Sequence, residues 1–192
     1  MEKWADQMTR YGDLPDSFLL KGHSYGGYLC SLFASRNPQR VKALFLNSPV
    51  GHEGIPDDYD DIPIRMSSSL TEPVSGYMLD FWKSQWESQK TALDIARYLP
   101  DSGLHYAVKK IVEDDLDGFP EEHAEKYANY AYVCMAHGKK SDNEKAITAS
   151  FKYGSYAIHP TTEPDRLGNP DLPFPIAFAF GDRDWIGTEG AD

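Results

Sequence analysis

The sequence is poor in cysteine: Cys30 and Cys134 are the two in 192 residues. They fall in separate stretches of helical pattern, which argues against a disulfide framework and against a metal site. Basic residues are also few. Nineteen Lys and Arg face 30 Asp and Glu, for a formal net charge of −11. That balance argues against a nucleic-acid partner and against a polybasic membrane anchor. No run of about 18 apolar residues occurs, which excludes a membrane-spanning helix within the sequence. Residues 1–6 lack the apolar h-region of a signal peptide. No internal repeat or low-complexity tract is present, and no cofactor is expected. What the chain does have is enough apolar and aromatic side chains, 41% and 13%, for one core of ordinary size.

One stretch organises the rest. Residues 18–20, Phe-Leu-Leu, read as a buried strand. Gly22-His23-Ser24-Tyr25-Gly26 then fits G-x-S-x-G, the turn that lifts a nucleophile above a sheet. Residues 27–35 continue as a helix with Leu29, Cys30, Leu32 and Phe33 inward. A strand that reverses straight into a helix strains the serine backbone. The neighbours two positions away, Gly22 and Gly26, crowd together and must be small. The helix N-terminus aims N–H groups at the place where an oxyanion forms. The plainer alternative is a glycine-rich turn around a structural serine. The flanking strand and helix, with an extra glycine at Gly27, weigh against it.

Residues 1–11 read as a short helix with Trp4, Met8 and Tyr11 on one side. After the elbow, Asn37-Pro38 stops the helix, and residues 41–47 form a second strand. Both strands are apolar enough to be covered on both faces. Strand, helix, strand in this order makes a parallel βαβ unit. Residues 48–61 break the rhythm with Pro49, Gly51, Gly54 and Pro56. From about residue 74 to 156 the pattern is helical. It includes an aromatic segment over 77–86, then Leu93, Ala96, Arg97 and Leu99 at helical spacing. A stripe of Leu104, Ala107, Val108, Ile111 and Val112 follows. Pro120 opens another helix, Gly138 closes it, and residues 141–144 form a capping-box pattern. Beyond a proline-rich loop, residues 175–180 read as a third buried strand, with Gly181-Asp-Arg-Asp-Trp185 at its C-terminal end. The expected division is an α/β core of 1–49 and 171–192 around a helical insert, 50–170.

Taken together, these features resemble an α/β-hydrolase: a parallel sheet flanked by helices with a helical cap, only part of the core being present. More narrowly, the chain is similar to the abhydrolase-domain 4/5-like lipid hydrolases and acyltransferases. The carriers are Gly22-His-Ser-Tyr-Gly-Gly27, residues 37–46, Phe81-Trp-Lys-Ser-Gln-Trp86 and residues 178–186. The resemblance implies Ser24 as nucleophile, Asp184 as the triad acid, with Asp182 the runner-up, and the backbone N–H of Tyr25 as an oxyanion donor. It also implies the order serine, acid, histidine. No histidine follows Asp184, so the chain reads as the middle of a larger hydrolase whose base lies outside it.

Of the histidines present, His23 sits inside the elbow, and His52 follows the second strand and could approach the pocket but matches no base position. His105, His123, His137 and His159 read as surface or cap residues, and the H-x4-D from His137 to Asp142 as accidental. The implied substrate is a lipid or other acyl ester. The implied compartment is intracellular, cytoplasmic or mitochondrial, with peripheral contact to lipid. The alternative is a catalytically inactive hydrolase-fold subunit serving as a scaffold in a larger assembly. Three strands alone leave the outer edge of the elbow strand bare. Further sequence or another protein chain is therefore expected on that edge, and the 192 residues alone are expected to hydrolyse no ester above a Ser24→Ala control.

Overall fold

Runs of apolar and aromatic residues give strands β1 (Phe18–Ser24), β2 (Val41–Pro49) and β3 (Ile176–Ala179). They come from a computed structural model, which describes residues 1–57, 59, 76–91, 94, 97, 98, 100–115, 120–137, 145–154, 156–182 and 184. Within its helices, the side chains of 76–79, 82, 107, 110–115, 121, 136 and 137 are not described. The strands form one sheet in the order β1-β2-β3, and both pairings are parallel. Leu20 stands opposite Leu44, and Leu46 opposite Phe178. The chain divides into two compact units: Met1–Asp60 with Ser150–Asp192, and Asp61–Ala149.

In the first unit, α1 (Glu2–Arg10) precedes β1, and α2 (Tyr25–Arg36) follows β1 with no linker. Asn37 ends α2, as a residue before proline tends to do, and a single 3-10 turn over Pro38–Arg40 leads into β2. Cys30, Phe33 and Ala34 of α2 pack on Val41, Leu44 and Leu46, with Ala5 and Phe174 completing the core. Phe18, Leu20, Ile176 and Phe178 join from the same sheet face.

Three expectations change here. The strands are covered on one face only. Leu19 is 75% exposed, Phe45 39% exposed, and Lys21, His23 and Ala177 are exposed beside them. The apolar letters of β1 masked a true period of two, because Leu19 lies on the open face. On α2, Leu29 also turns outward, while Tyr28 and Ser31 are buried. On α1 the inward residue is Ala5, and Trp4 and Tyr11 are exposed. Arg40 explains that rotation. Its guanidinium donates to the Ala5 carbonyl at 3.2 Å, Thr9 Oγ1 at 2.7 Å and Asp6 Oδ1 at 2.6 Å, so the polar side of α1 faces the core's rim.

Residues 50–57 and 150–162 belong to this unit too, although the sequence reading assigned them to the insert. Backbone pairing laces them together. Ala157 N–H donates to the Glu53 carbonyl at 3.1 Å, and Thr161 N–H to that of Gly51 at 2.8 Å. Single bridges join Gly54 to Ala157 and Phe151 to Ala157.

The second unit holds α3 (Gly76–Glu87), α4 (Asp101–Asp115) and α5 (Glu121–His137), and α6 (Ala146–Ser150) crosses its boundary. Leu104 and Val108 of α4 are buried against Ala128 of α5, with Ala124, Ala131, Tyr132 and Met135 around them. This is the helical stripe that the sequence predicts, as far as its side chains are described. Thr91 and Asp94 cap each other. The Asp94 carboxylate accepts from the Thr91 N–H at 3.0 Å, and Thr91 Oγ1 accepts from the Asp94 N–H at 3.2 Å. Leu93, Ala96, Leu99, Gly138, the 141–144 pattern, Asp142, Trp185 and Ile186 lie outside the described residues, as do the side chains of Tyr77, Trp82, Ala107, Ile111, Val112 and His137. No described helix is long and apolar enough to cross a membrane.

Candidate active site

Ser24 is the last residue of β1 and the residue that opens α2. Its backbone has φ 52° and ψ −125°, a region that L-residues other than glycine rarely adopt. Such a conformation costs about 1–3 kcal/mol and persists only where the surroundings impose it. The surroundings here are visible. Ser24 pairs in register with Pro49, and its carbonyl accepts from the Val50 N–H at 3.3 Å. Ser24 is thereby half-buried and held on a tight corner at the carboxyl edge of the sheet.

The glycines permit that corner, though not as their spacing suggests. A Cβ on Gly22 would meet the Gly26 carbonyl oxygen at 2.5 Å and Gly27 Cα at 2.7 Å, both backbone atoms. Gly22 is therefore required. On Gly26 a Cβ would meet nothing within 4 Å. The second close approach is at Gly27, whose Cβ would stand 2.8 Å from Pro49 Cβ. The sequence reading assigned that role to Gly26, because the crowding of Gly22 falls on the backbone of Gly26 while the Cα–H of Gly26 faces open space.

Tyr25 is the first residue of α2, so its N–H has no acceptor within the helix and lies beside Ser24. Its ring stacks on Tyr28 at 6.1 Å and meets Phe151 edge-on at 5.8 Å. Phe151 in turn packs on Tyr28 at 4.7 Å, and the Tyr28 hydroxyl donates to the His159 carbonyl at 3.2 Å. Burial pushes the Tyr28 phenol above its ordinary value, with Arg166 pulling the other way. Beneath the elbow helix, burial likewise raises the Cys30 thiol, which favours the neutral, unreactive form.

Asp184 stands in the turn after β3. Its Oδ2 accepts from the Gly181 N–H at 3.2 Å, and its own N–H donates to the Gly181 carbonyl at 3.2 Å. Asp182 is exposed in the same turn. Because all three strands are parallel, Ser24 and Asp184 both follow carboxyl ends on one edge of the sheet. Ser24 ends the first strand, Asp184 follows the third, and those two strands lie two spacings, about 10 Å, apart.

The histidines scatter. His23 is exposed, on the open sheet face. His52 is buried beyond the end of β2, its ring edge-on to Phe180 at 5.9 Å. Sequence reasoning weighed His52 as a substitute base and set it aside, and nothing in the letters marks it for burial. His105 pairs with Asn129 Oδ1 at 2.8 Å between α4 and α5, His123 is exposed on α5, and His159 is exposed in the first unit. Among the described residues no His, Cys, Asp and Glu cluster has metal-binding geometry.

A family model described as alpha/beta hydrolase fold matches residues 14–68, which hold β1, the elbow, α2 and β2. Among curated proteins, a 1-acylglycerol-3-phosphate O-acyltransferase of Arabidopsis thaliana is 24% identical over 91% of this chain and 40% of its own length. The abhydrolase domain-containing protein lid-1 of Caenorhabditis elegans is 28% identical over 97% of this chain and 46% of its own length. A (lyso)-N-acylphosphatidylethanolamine lipase of Mus musculus is 26% identical over 98% of this chain and 49% of its own length. The chain thus spans less than half the length of these relatives. No solved structure matches.

Proposed function

We propose, from the premise that this chain belongs to the α/β-hydrolase superfamily and its abhydrolase-domain 4/5-like branch, that it is part of a serine hydrolase or acyltransferase acting on a lipid ester or amide. The observation that carries the reading is the backbone of Ser24, a non-glycine residue at φ 52° between a strand and a helix N-terminus. Backbone strain of this kind collects at functional sites.

In this reading Ser24 Oγ attacks the acyl carbonyl carbon. A histidine outside residues 1–192 takes the hydroxyl proton, and the Asp184 carboxylate orients that imidazole and steadies its charge. The carbonyl oxygen becomes an oxyanion, which the Tyr25 N–H meets at the start of α2. One such donor is worth about 2.7–4 kcal/mol. Collapse expels the alcohol or amine, or the thiol of a thioester donor, which takes the proton from the histidine, and leaves an acyl-serine. Water then releases the fatty acid, or the hydroxyl of a lysophospholipid receives the acyl group. The names of the relatives supply both outcomes, one for a lipase and one for an acyltransferase acting on 1-acylglycerol 3-phosphate. Two strand spacings between the elements that carry Ser24 and Asp184 leave room for an imidazole reaching both.

The test compares the protein with a Ser24→Ala variant on N-acyl phosphatidylethanolamine, and on 1-acylglycerol 3-phosphate with acyl-CoA. Serine-dependent release or transfer supports the reading. Equal rates in both proteins, or none in a folded polypeptide carrying the histidine-bearing segment, favour the scaffold alternative.

A further inference from the structure

We infer that His52 is a positioning residue that couples the strand end carrying Ser24 to the turn carrying Asp184. This rests on the roles proposed above for those two residues. The β2–β3 ladder stops at Asn47 opposite Ala179, so residues 180–182 and 184 lie beyond its backbone pairing. Side chains must hold that turn in register with the elbow. His52 is 3% exposed, and a buried imidazole needs polar partners. Its Nδ1 lies 3.2 Å from the Pro49 carbonyl oxygen. A carbonyl only accepts, so Nδ1 carries the proton and donates. Nε2 lies 3.8 Å from Glu53 Oε1, and the His52 carbonyl accepts from Thr162 Oγ1 at 2.9 Å, which pins the loop on its other side.

Pro49 is the register partner of Ser24. On the far side, the His52 ring meets Phe180 edge-on, and Phe180 stacks on Phe178 at 6.2 Å with planes 4° apart. Phe180 is followed by Gly181, which makes both described hydrogen bonds to Asp184. One side chain is therefore bonded to the residue opposite the nucleophile and packed on the residue that opens the acid turn. A 1 Å error in the placement of a catalytic group costs on the order of 100-fold in rate. His52 touches no reacting atom in this account and acts through the position of Asp184.

The experiment uses the whole natural polypeptide, with His52→Gln, which keeps a donor but removes the ring, and Phe180→Leu, which removes the same contact and spares the imidazole. Amide hydrogen exchange at 181–184 is read against exchange at 18–24. The rate of Ser24 acylation by a fluorophosphonate is measured, as are kcat and KM on an ester. Both variants are expected to speed exchange at 181–184, leave β1 protected, and lower kcat about 10- to 100-fold with KM within about 2-fold. If His52→Gln also unprotects β1, Phe180→Leu decides alone. Wild-type exchange at 181–184 and wild-type kcat in Phe180→Leu would overturn the inference. If the wild-type protein gives no adduct at Ser24, the functional reading fails, and exchange at 181–184 still decides whether His52 holds the turn.

Discussion

The elbow glycines allow a sharp test, because motif and geometry disagree about them. Replace Gly22 by Ala. The new methyl meets three backbone atoms of Gly26 and Gly27 at 2.5–2.8 Å, well inside van der Waals contact. Backbone cannot swing aside as a side-chain end can, so β1 and α2 must part. Overpacking costs roughly 1–3 kcal/mol, and rigid partners argue for the upper end, about 3 kcal/mol. For a chain of this size that lowers Tm by about 6–12 °C. Gly26→Ala adds a methyl to open space in the first turn of α2, and no positive φ is involved. There the lost glycine entropy favours the variant by about 0.5–1 kcal/mol, a rise of about 1–4 °C. Gly27→Ala is also expected to destabilise, since its methyl would stand 2.8 Å from Cβ of the rigid Pro49 ring and 3.1 Å from Pro49 Cα. Thermal unfolding by circular dichroism, with exchange at the β1 amides to report on the first unit, gives the order. Equal losses at Gly22 and Gly26 would refute the elbow geometry.

Three further outcomes are expected. Ser24→Gly releases the strain at φ 52° and, after the entropy of glycine is subtracted, stabilises the fold by about 1 kcal/mol, whereas Ser24→Ala keeps its Cβ and changes little; urea midpoints distinguish them. Burial pushes the Tyr153 phenol up to about 12 from 10.0, so the unfolded chain loses its proton first: stability is full below pH 10, falls between pH 10 and 12, and falls less steeply in Tyr153→Phe. Arg40→Ala removes the donors to the Ala5 carbonyl and Thr9 and costs about 2 kcal/mol, while Asp6→Asn, at an ion-pair partner 65% exposed, costs under about 1 kcal/mol; denaturant titration ranks the two.

The elbow and the parallel βαβ unit were legible because local chemistry specifies them. A glycine-flanked serine between an apolar strand and a helix has few other folds, and Asn37-Pro38 is a local stop. The stripe of Leu104 and Val108 was legible because helical period survives burial against one neighbour. The rest depends on partners far along the chain. The Leu of position 19 looks like a core residue, yet it lies on the open face of a three-stranded sheet. Trp4 looks like an anchor for α1, but Arg40, 36 residues on, turns Ala5 inward through Asp6 and Thr9. Residues 50–57 look like a free loop, because their pairing with Ala157 and Thr161 is backbone to backbone and leaves no mark in side-chain type. For the candidate site, Ser24 was read from its neighbours and Asp184 from resemblance. His52 was passed over, since a histidine in a polar, glycine-rich segment gives no sign that the fold will bury it against Phe180.

The central claim is that Ser24 is a covalent nucleophile, and mass spectrometry tests it directly. A polypeptide containing residues 1–192 and the segment that supplies the base is treated with a fluorophosphonate, digested, and read at the peptide that spans the elbow. The account predicts one phosphonyl adduct on Ser24, absent from Ser24→Ala and slowed by prior incubation with a lipid ester. An unmodified Ser24 in a folded protein that still hydrolyses or transfers acyl groups, or an adduct carried by another residue, would contradict it.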